Sequence, residues 1–163
     1  MRIAFGLSIP ANLLPLEKVI DLVIKADEHG YDSFWIHENP MYGDSISIIS
    51  VLTQLKRNIK LGLGCMSIVT RHPIMIAATA ATIQNLSKGK FILGLGLGGF
   101  PWLPLIGYPI YPIKQTKPLK RMIEAVKIIK DLITKSEAFH EGEFYSVKGF
   151  KLMFKTPYET RIY

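Results

Sequence analysis

Gly94, Gly96 and Gly99 stand in the spacing G-x-G-x-x-G at the end of the apolar run Phe91-Ile92-Leu93. Glycines so spaced let a pyrophosphate approach the backbone and rest on the amino end of the helix that follows. Here Phe100-Pro101-Trp102-Leu103-Pro104 follows instead, and the run is the fourth strand-like segment rather than the first. The dinucleotide reading therefore fails in its own context. What survives is a strand ending in glycines, where a ligand can come close to the main chain or where small residues pack tightly. A second polar cluster, Thr70-Arg71-His72-Pro73, precedes an alanine-rich segment. A third, His37-Glu38-Asn39-Pro40, breaks the run Ser33-Phe34-Trp35-Ile36. No cluster has metal-ligand spacing, and His29 and His140 suggest no role.

These clusters need elements to hold them. Arg2 to Ser8 reads as a short apolar strand. Leu16, Val19, Ile20, Val23 and Ile24 recur at helical spacing, which predicts a helix from Pro15 to His29 stopped by Gly30. Ser33 to Ile36 is the second strand, and Ile46, Ile49 and Leu52 predict a helix from about Ser45 to Lys56. Ile59 to Cys65 is the third strand, Ser67 to Pro73 a polar loop, Ala77 to Leu86 a helix, and Lys90 to Leu97 the fourth strand. The prolines between Phe100 and Pro118 leave no regular element there, so a long loop is expected. Leu119, Met122, Ile123, Val126 and Ile133 mark a long helix. Glu141 to Phe154 reads as a hairpin, and Arg161-Ile162-Tyr163 as the start of another strand.

The order is βα four times, then a hairpin, then a fifth strand begun. Near-continuous apolar strands belong to parallel sheets. Two α/β folds fit: a doubly wound open sheet, or part of a (β/α)₈ barrel of the TIM type. A whole barrel takes about 250 residues, and this chain has 163, read as a single domain over 1–163. Half a barrel leaves strand edges open, so either a partner covers them or the chain is a fragment or the product of a decayed gene.

Composition narrows the function classes. Hydrophobic residues make up 48% of the chain, which excludes a disordered segment. No apolar run reaches the roughly 18 residues of a membrane span. The amino terminus lacks the pattern of a signal peptide, and the single cysteine, Cys65, excludes an internal disulfide framework. The expectation is a cytoplasmic protein with no membrane partner. The net charge of +7 is concentrated between Lys114 and Lys135 and reads as a solvated lysine-rich helix face. Basic residues are not interleaved with aromatics, so no nucleic-acid partner is expected.

The polar cluster at Thr70 to Pro73, the alanine-rich helix, Leu86-Ser87-Lys88-Gly89-Lys90 and Phe91 to Gly98 together resemble the bacterial luciferase-like superfamily. Gly30-Tyr31-Asp32-Ser33-Phe34-Trp35-Ile36, Pro118-Leu119-Lys120-Arg121 and Glu141-Gly142-Glu143-Phe144-Tyr145 extend the resemblance in order along the whole chain. That superfamily holds flavin-dependent monooxygenases and deazaflavin (coenzyme F(420)) dependent reductases such as methylenetetrahydromethanopterin reductase. Its fold is a (β/α)₈ barrel, so the resemblance implies that this chain is the N-terminal half: four βα units, a hairpin and the start of a fifth strand.

The resemblance also implies roles. Trp35-Ile36-His37-Glu38-Asn39 matches a Trp-x-x-Asp-His run of deazaflavin-dependent relatives, with Glu38 at the acid and Asn39 at the histidine. A carboxylate there can relay a proton or hydrogen-bond the ring or substrate; Asn39 hydrogen-bonds but is no acid near neutral pH. The alternative is a polar strand end that meets water. Gly64-Cys65 aligns with a non-proline cis peptide behind the flavin ring, against an ordinary trans strand end with Cys65 as a small buried hydrophobe. Thr70 and His72 are implied as contacts of the cofactor ring or its chain, Arg71 as a loop-fixing ion pair, and Gly96, Gly98 and Gly99 as the close approach. Trp102, Tyr108 and Tyr111 form either a lid or an interface patch. The expected function is oxidoreduction with coenzyme F(420) or FMN, by hydride transfer or monooxygenation of a small organic substrate. The alternative is a truncated, non-catalytic half-barrel, stable only as a homo-oligomer or with a complementary half-barrel chain.

Overall fold

The structure, a computed structural model, describes residues 3–10, 14–98, 103–107 and 117–163. Gly99, Trp102, Tyr108 and Tyr111 lie outside the described residues. Of the expected long loop, a 3₁₀ turn at Leu103–Ile106 is described. The elements are β1 (Gly6–Pro10), α1 (Leu16–Glu28), β2 (Ser33–His37), α2 (Ser45–Leu52), β3 (Lys60–Ser67), α3 (Pro73–Leu86), β4 (Phe91–Gly96), α4 (Pro118–Lys135), β5 (Glu137–Glu141), β6 (Ser146–Lys151) and β7 (Arg161–Ile162).

Several boundaries differ from the sequence reading; α2 ends at Leu52 rather than Lys56, and β3 runs on to Ser67 rather than Cys65. β1 begins at Gly6 rather than Arg2. α3 begins at Pro73 rather than Ala77, because proline at the first helical position sacrifices no hydrogen bond. The hairpin starts at Glu137 rather than Glu141, and 142–145 is its turn.

The chain divides into two compact units. One comprises 1–66, 79–95 and 156–163; the other comprises 67–78 and 96–155.

The first unit is built on a five-stranded sheet of order β1-β2-β3-β4-β7. β1 pairs with β2, β2 with β3, and β4 with β7, all parallel. The order follows the chain without reversal. A doubly wound sheet reverses its strand order part-way, which puts helices on both faces. Right-handed crossovers that never reverse put every helix on one face, so the open-sheet alternative falls and the barrel-type sheet stands. Burial agrees. Phe34 and Ile36 of β2 and Leu61 and Leu63 of β3 are at most 4% exposed and share one face by register. Each contributes about 1.5–3 kcal/mol by leaving water. Val19 and Val23 of α1 and Ile49 and Leu52 of α2 are equally buried.

The opposite face carries Ser33, Trp35 and His37. Trp35 lies flat across it: a Cβ added to Gly62 would come within 2.4 Å of the indole, and one on Gly64 within 3.1 Å. The Tyr163 ring meets it edge-on, with centroids 6.3 Å apart. Glycine on β3 is therefore what admits Trp35.

Leu86-Ser87-Lys88-Gly89-Lys90 ends α3 and starts β4. Gly89 sits at φ +87° and its N–H closes the helix on the Gln84 carbonyl at 3.0 Å, a glycine C-cap. The Ser87 hydroxyl accepts from Lys90 N–H at 3.2 Å, and the buried Gln84 amide oxygen accepts from Phe91 N–H at 2.9 Å. The other end of Gln84 donates to the Glu159 carbonyl.

In the second unit α4 packs on the antiparallel hairpin β5–β6 through Ala125, Ile128, Ile129 and Leu132, with Ala138 and Val147 from the strands, all at most 4% exposed.

Candidate functional site

In the first unit the polar cluster begins where β2 stops. The His37 ring pairs with the Ser8 hydroxyl, Nε2 to Oγ 2.6 Å. Asn39 Oδ1 accepts from Met41 N–H at 3.1 Å and so caps the 3₁₀ turn Pro40–Tyr42; this oxygen serves the loop. Glu38 is different: its side chain is buried, with the residue 9% exposed.

Cys65, half-buried on β3, is a free thiol within the electrostatic reach of Glu38. Burial first, then the Glu38 carboxylate, pushes the thiol above its ordinary value of 9.0, and a backbone hydrogen bond offsets part of the shift. The Gly64–Cys65 peptide bond is cis, the geometry implied by the resemblance. Glu38 and Cys65 are thus brought together at the carboxyl ends of neighbouring parallel strands.

In the second unit the loop before α3 is wired through its own backbone. The Ser67 hydroxyl accepts from Val69 and Thr70 N–H at 3.2 and 3.3 Å, and Arg71 N–H donates to the Ser67 carbonyl at 3.1 Å. His72 Nδ1 accepts from Ile74 N–H at 3.2 Å and caps α3, which leaves the ring proton on Nε2. Ile68 N–H donates to the Gly96 carbonyl at 3.0 Å, so Gly96 holds the loop with its main chain. Gly98 has φ +71°, a conformation glycine adopts without cost.

The sequence reading gave Tyr145, Glu124 and His140 no role. The Tyr145 hydroxyl donates to the Ile68 carbonyl at 2.7 Å, and its ring stands at 89° to that of His72, centroids 5.5 Å apart. Glu124, 6% exposed, accepts from three successive backbone N–H groups: Glu143 at 3.1 Å, Phe144 at 3.0 Å and Tyr145 at 3.2 Å. His140 Nε2 lies 3.5 Å from the same carboxylate. Burial would raise the Glu124 carboxyl, but the three N–H groups and His140 outweigh it and hold it below its ordinary 4.5. Burial pushes the Tyr145 phenol above 10.0 against the pull of Arg121, which keeps the hydroxyl a donor at neutral pH. The only signal in the sequence was the Glu141-to-Tyr145 motif.

Among the described residues, no group of histidine, cysteine and carboxylate side chains could hold a metal ion, and no helix is long and apolar enough to cross a membrane. A cavity of about 360 Å³ in the first unit is lined by Leu52, Arg57, Ile59, Leu86 and Lys90, at the amino ends of β3 and β4 and away from the candidate residues.

The sequence profile of the luciferase-like monooxygenase family matches residues 3–163. The chain belongs to that family. It is 35% identical over 130 residues to the 5,10-methylenetetrahydromethanopterin reductase of Archaeoglobus fulgidus, an overlap of 80% of this chain and 38% of the relative. The coenzyme F(420) dependent tetrahydromethanopterin reductase of Methanopyrus kandleri superposes with a TM-score of 0.85 at 20% identity, over 98% of this chain and 50% of that one. The oxygenating constituent of 3,6-diketocamphane monooxygenase from Pseudomonas putida, solved with FMN, superposes at 0.79 and 20% identity, over 99% and 51%. The chain thus spans about half the length of these proteins or less. Its sheet is a partial barrel of the luciferase-like type.

Proposed function

We propose that this chain binds coenzyme F(420) or FMN at the carboxyl ends of its strands, as the ring-holding half of an oxidoreductase acting on a small organic substrate by hydride transfer or monooxygenation. The observation that carries the reading is the buried Glu38 carboxylate at the end of β2, within electrostatic reach of Cys65 on β3. Ligands of (β/α) barrels bind at that end. The donor set fits a flavin-type ring: Glu38 is an acceptor for a ring N–H, and Gly64 brings main chain rather than side chain to the strand end. Asn39, whose Oδ1 caps the turn, is assigned to the same edge through its amide N–H groups. Thr70, His72, Gly96 and Gly98 are assigned as further cofactor contacts, as is Gly99, which lies outside the described residues. The cofactor, when bound, supplies the redox chemistry, while the chain supplies orientation and hydrogen bonds. The likeness to a methylenetetrahydromethanopterin reductase favours the deazaflavin.

A second reading has its own support. Among the described residues β1 and β7 each have one neighbour in the sheet, and the chain spans 38% of the archaeal relative. In this reading the chain works with a second copy or a complementary half-barrel chain, and alone it is non-catalytic. Light scattering and the visible spectrum of the purified protein separate the two. A yellow chromophore that survives gel filtration supports the first reading. A colourless, folded oligomer that takes up neither cofactor supports the second.

A further inference from the structure

We propose that Tyr145 is the positioning residue of the loop that carries Thr70 and His72, and that Glu124 holds Tyr145 in register for that task. The inference rests on the reading above only in so far as Thr70 and His72 meet a ligand; the geometry itself lies within the second unit.

Ile68, 2% exposed, is gripped from two sides. Its N–H donates to the Gly96 carbonyl at 3.0 Å, and its carbonyl accepts from the Tyr145 hydroxyl at 2.7 Å. Four residues on, the His72 ring stands perpendicular to the Tyr145 ring, and its Nδ1 caps α3. One side chain therefore touches the loop at both ends of the run that contains Thr70.

Tyr145 can do this only if its own backbone is fixed. It sits in a hairpin turn, ordinarily a mobile place. Here three consecutive N–H groups of the turn converge on the Glu124 carboxylate. A Cβ at Gly142 would lie 2.3 Å from Glu124 Oε2, so the motif needs glycine there for the carboxylate to enter. The Arg121 guanidinium lies 4.6 Å above the Phe144 ring and holds the next side chain of the turn. The result is a rigid lever from α4 through the turn to the loop. A phenol hydroxyl spent on a loop carbonyl adds no apolar burial; what it fixes is the loop's position.

The test is Tyr145→Phe, which keeps the ring and removes the hydroxyl. Amide hydrogen exchange across Ile68 to His72 is expected to rise about five-fold, the weight of one hydrogen bond, and the His72 ring resonances are expected to move. Coenzyme F(420) or FMN, whichever the wild type binds, is expected to bind about five-fold more weakly, with a melting temperature lower by only about 2–4 °C. Glu124→Gln should loosen the same loop, and Tyr145→Phe decides the matter if that variant fails to fold. Unchanged loop exchange and unchanged His72 resonances in Tyr145→Phe overturn the proposal. So does equal cofactor affinity in both proteins. If the wild type binds neither cofactor, the functional reading fails, and the exchange and ring resonances still decide the role of Tyr145.

Discussion

The buried Glu38 carboxylate lies within electrostatic reach of the Cys65 thiol at the ends of β2 and β3, and burial first, then that charge, pushes the thiol above its ordinary 9.0. A neighbouring negative charge opposes formation of the thiolate, and the thiolate is the reactive form. The rate of Cys65 alkylation by iodoacetamide should therefore rise with pH to a midpoint above 9.0. Glu38→Gln removes the charge and should move that midpoint downward while the fold persists. An unchanged midpoint in the variant would show that the two groups do not interact.

Gly94 tests the sheet in the first unit. A Cβ there would lie 2.5 Å from the Leu63 carbonyl oxygen and 3.4 Å from the Gly64 Cα. Both are backbone atoms of β3 and cannot rotate away. Gly94→Ala should lower stability by about 1–3 kcal/mol, read from urea denaturation. Gly107→Ala is the contrast. A Cβ there meets nothing within 4 Å, though φ is +83°, so its cost is confined to backbone strain of about 1 kcal/mol. A Gly94→Ala loss below about 1 kcal/mol would contradict the close approach of Gly94 to the β3 backbone.

Leu63 is 0% exposed on the helix-covered face. Leu63→Ala should cost about 2–5 kcal/mol, the transfer of the lost atoms plus the cavity they leave. A loss below about 1 kcal/mol would mean that this face of the sheet is open.

Glu124 gives unit two a pH dependence of known sign. Its carboxyl lies below 4.5 when folded, so the unfolded chain binds its proton first as pH falls. The stabilisation is complete above 4.5 and disappears as pH falls through the folded value. Glu143, drawn down to about 2 by its hydrogen bonds to Lys117 and Lys120, acts in the same direction. It lies at the surface, where such pairs contribute little. Exchange protection of the Phe144 and Tyr145 amides should fall as the solution is acidified below 4.5. Protection that holds to the lowest pH would show that the carboxylate is not the acceptor.

Much of this was legible in the sequence. Helical spacing placed α1, α2 and α4, and the glycine stop at Gly30 was visible as a residue type. The choice between an open sheet and a barrel was legible only through the family resemblance, because strand order is a long-range property that no local spacing carries. Leu86 to Lys90 was legible as a motif, but not its reason, which lies in the Gln84 and Ser87 side chains reaching β4. The strand ends offered Glu38 and Cys65 as candidates, and their proximity comes from the pairing of β2 with β3. Tyr145 and Glu124 escaped notice because their partners, Ile68 and the turn backbone, lie far away in sequence or carry no side-chain signal.

The central claim is that this chain holds a flavin-type ring at the end of its sheet. Titration of coenzyme F(420) and of FMN into the purified protein, followed by the fluorescence of each cofactor, tests it most directly. The account predicts a saturable change with at least one of them, weakened in Glu38→Gln. No saturable change with either cofactor, in protein that is folded by circular dichroism, would contradict it.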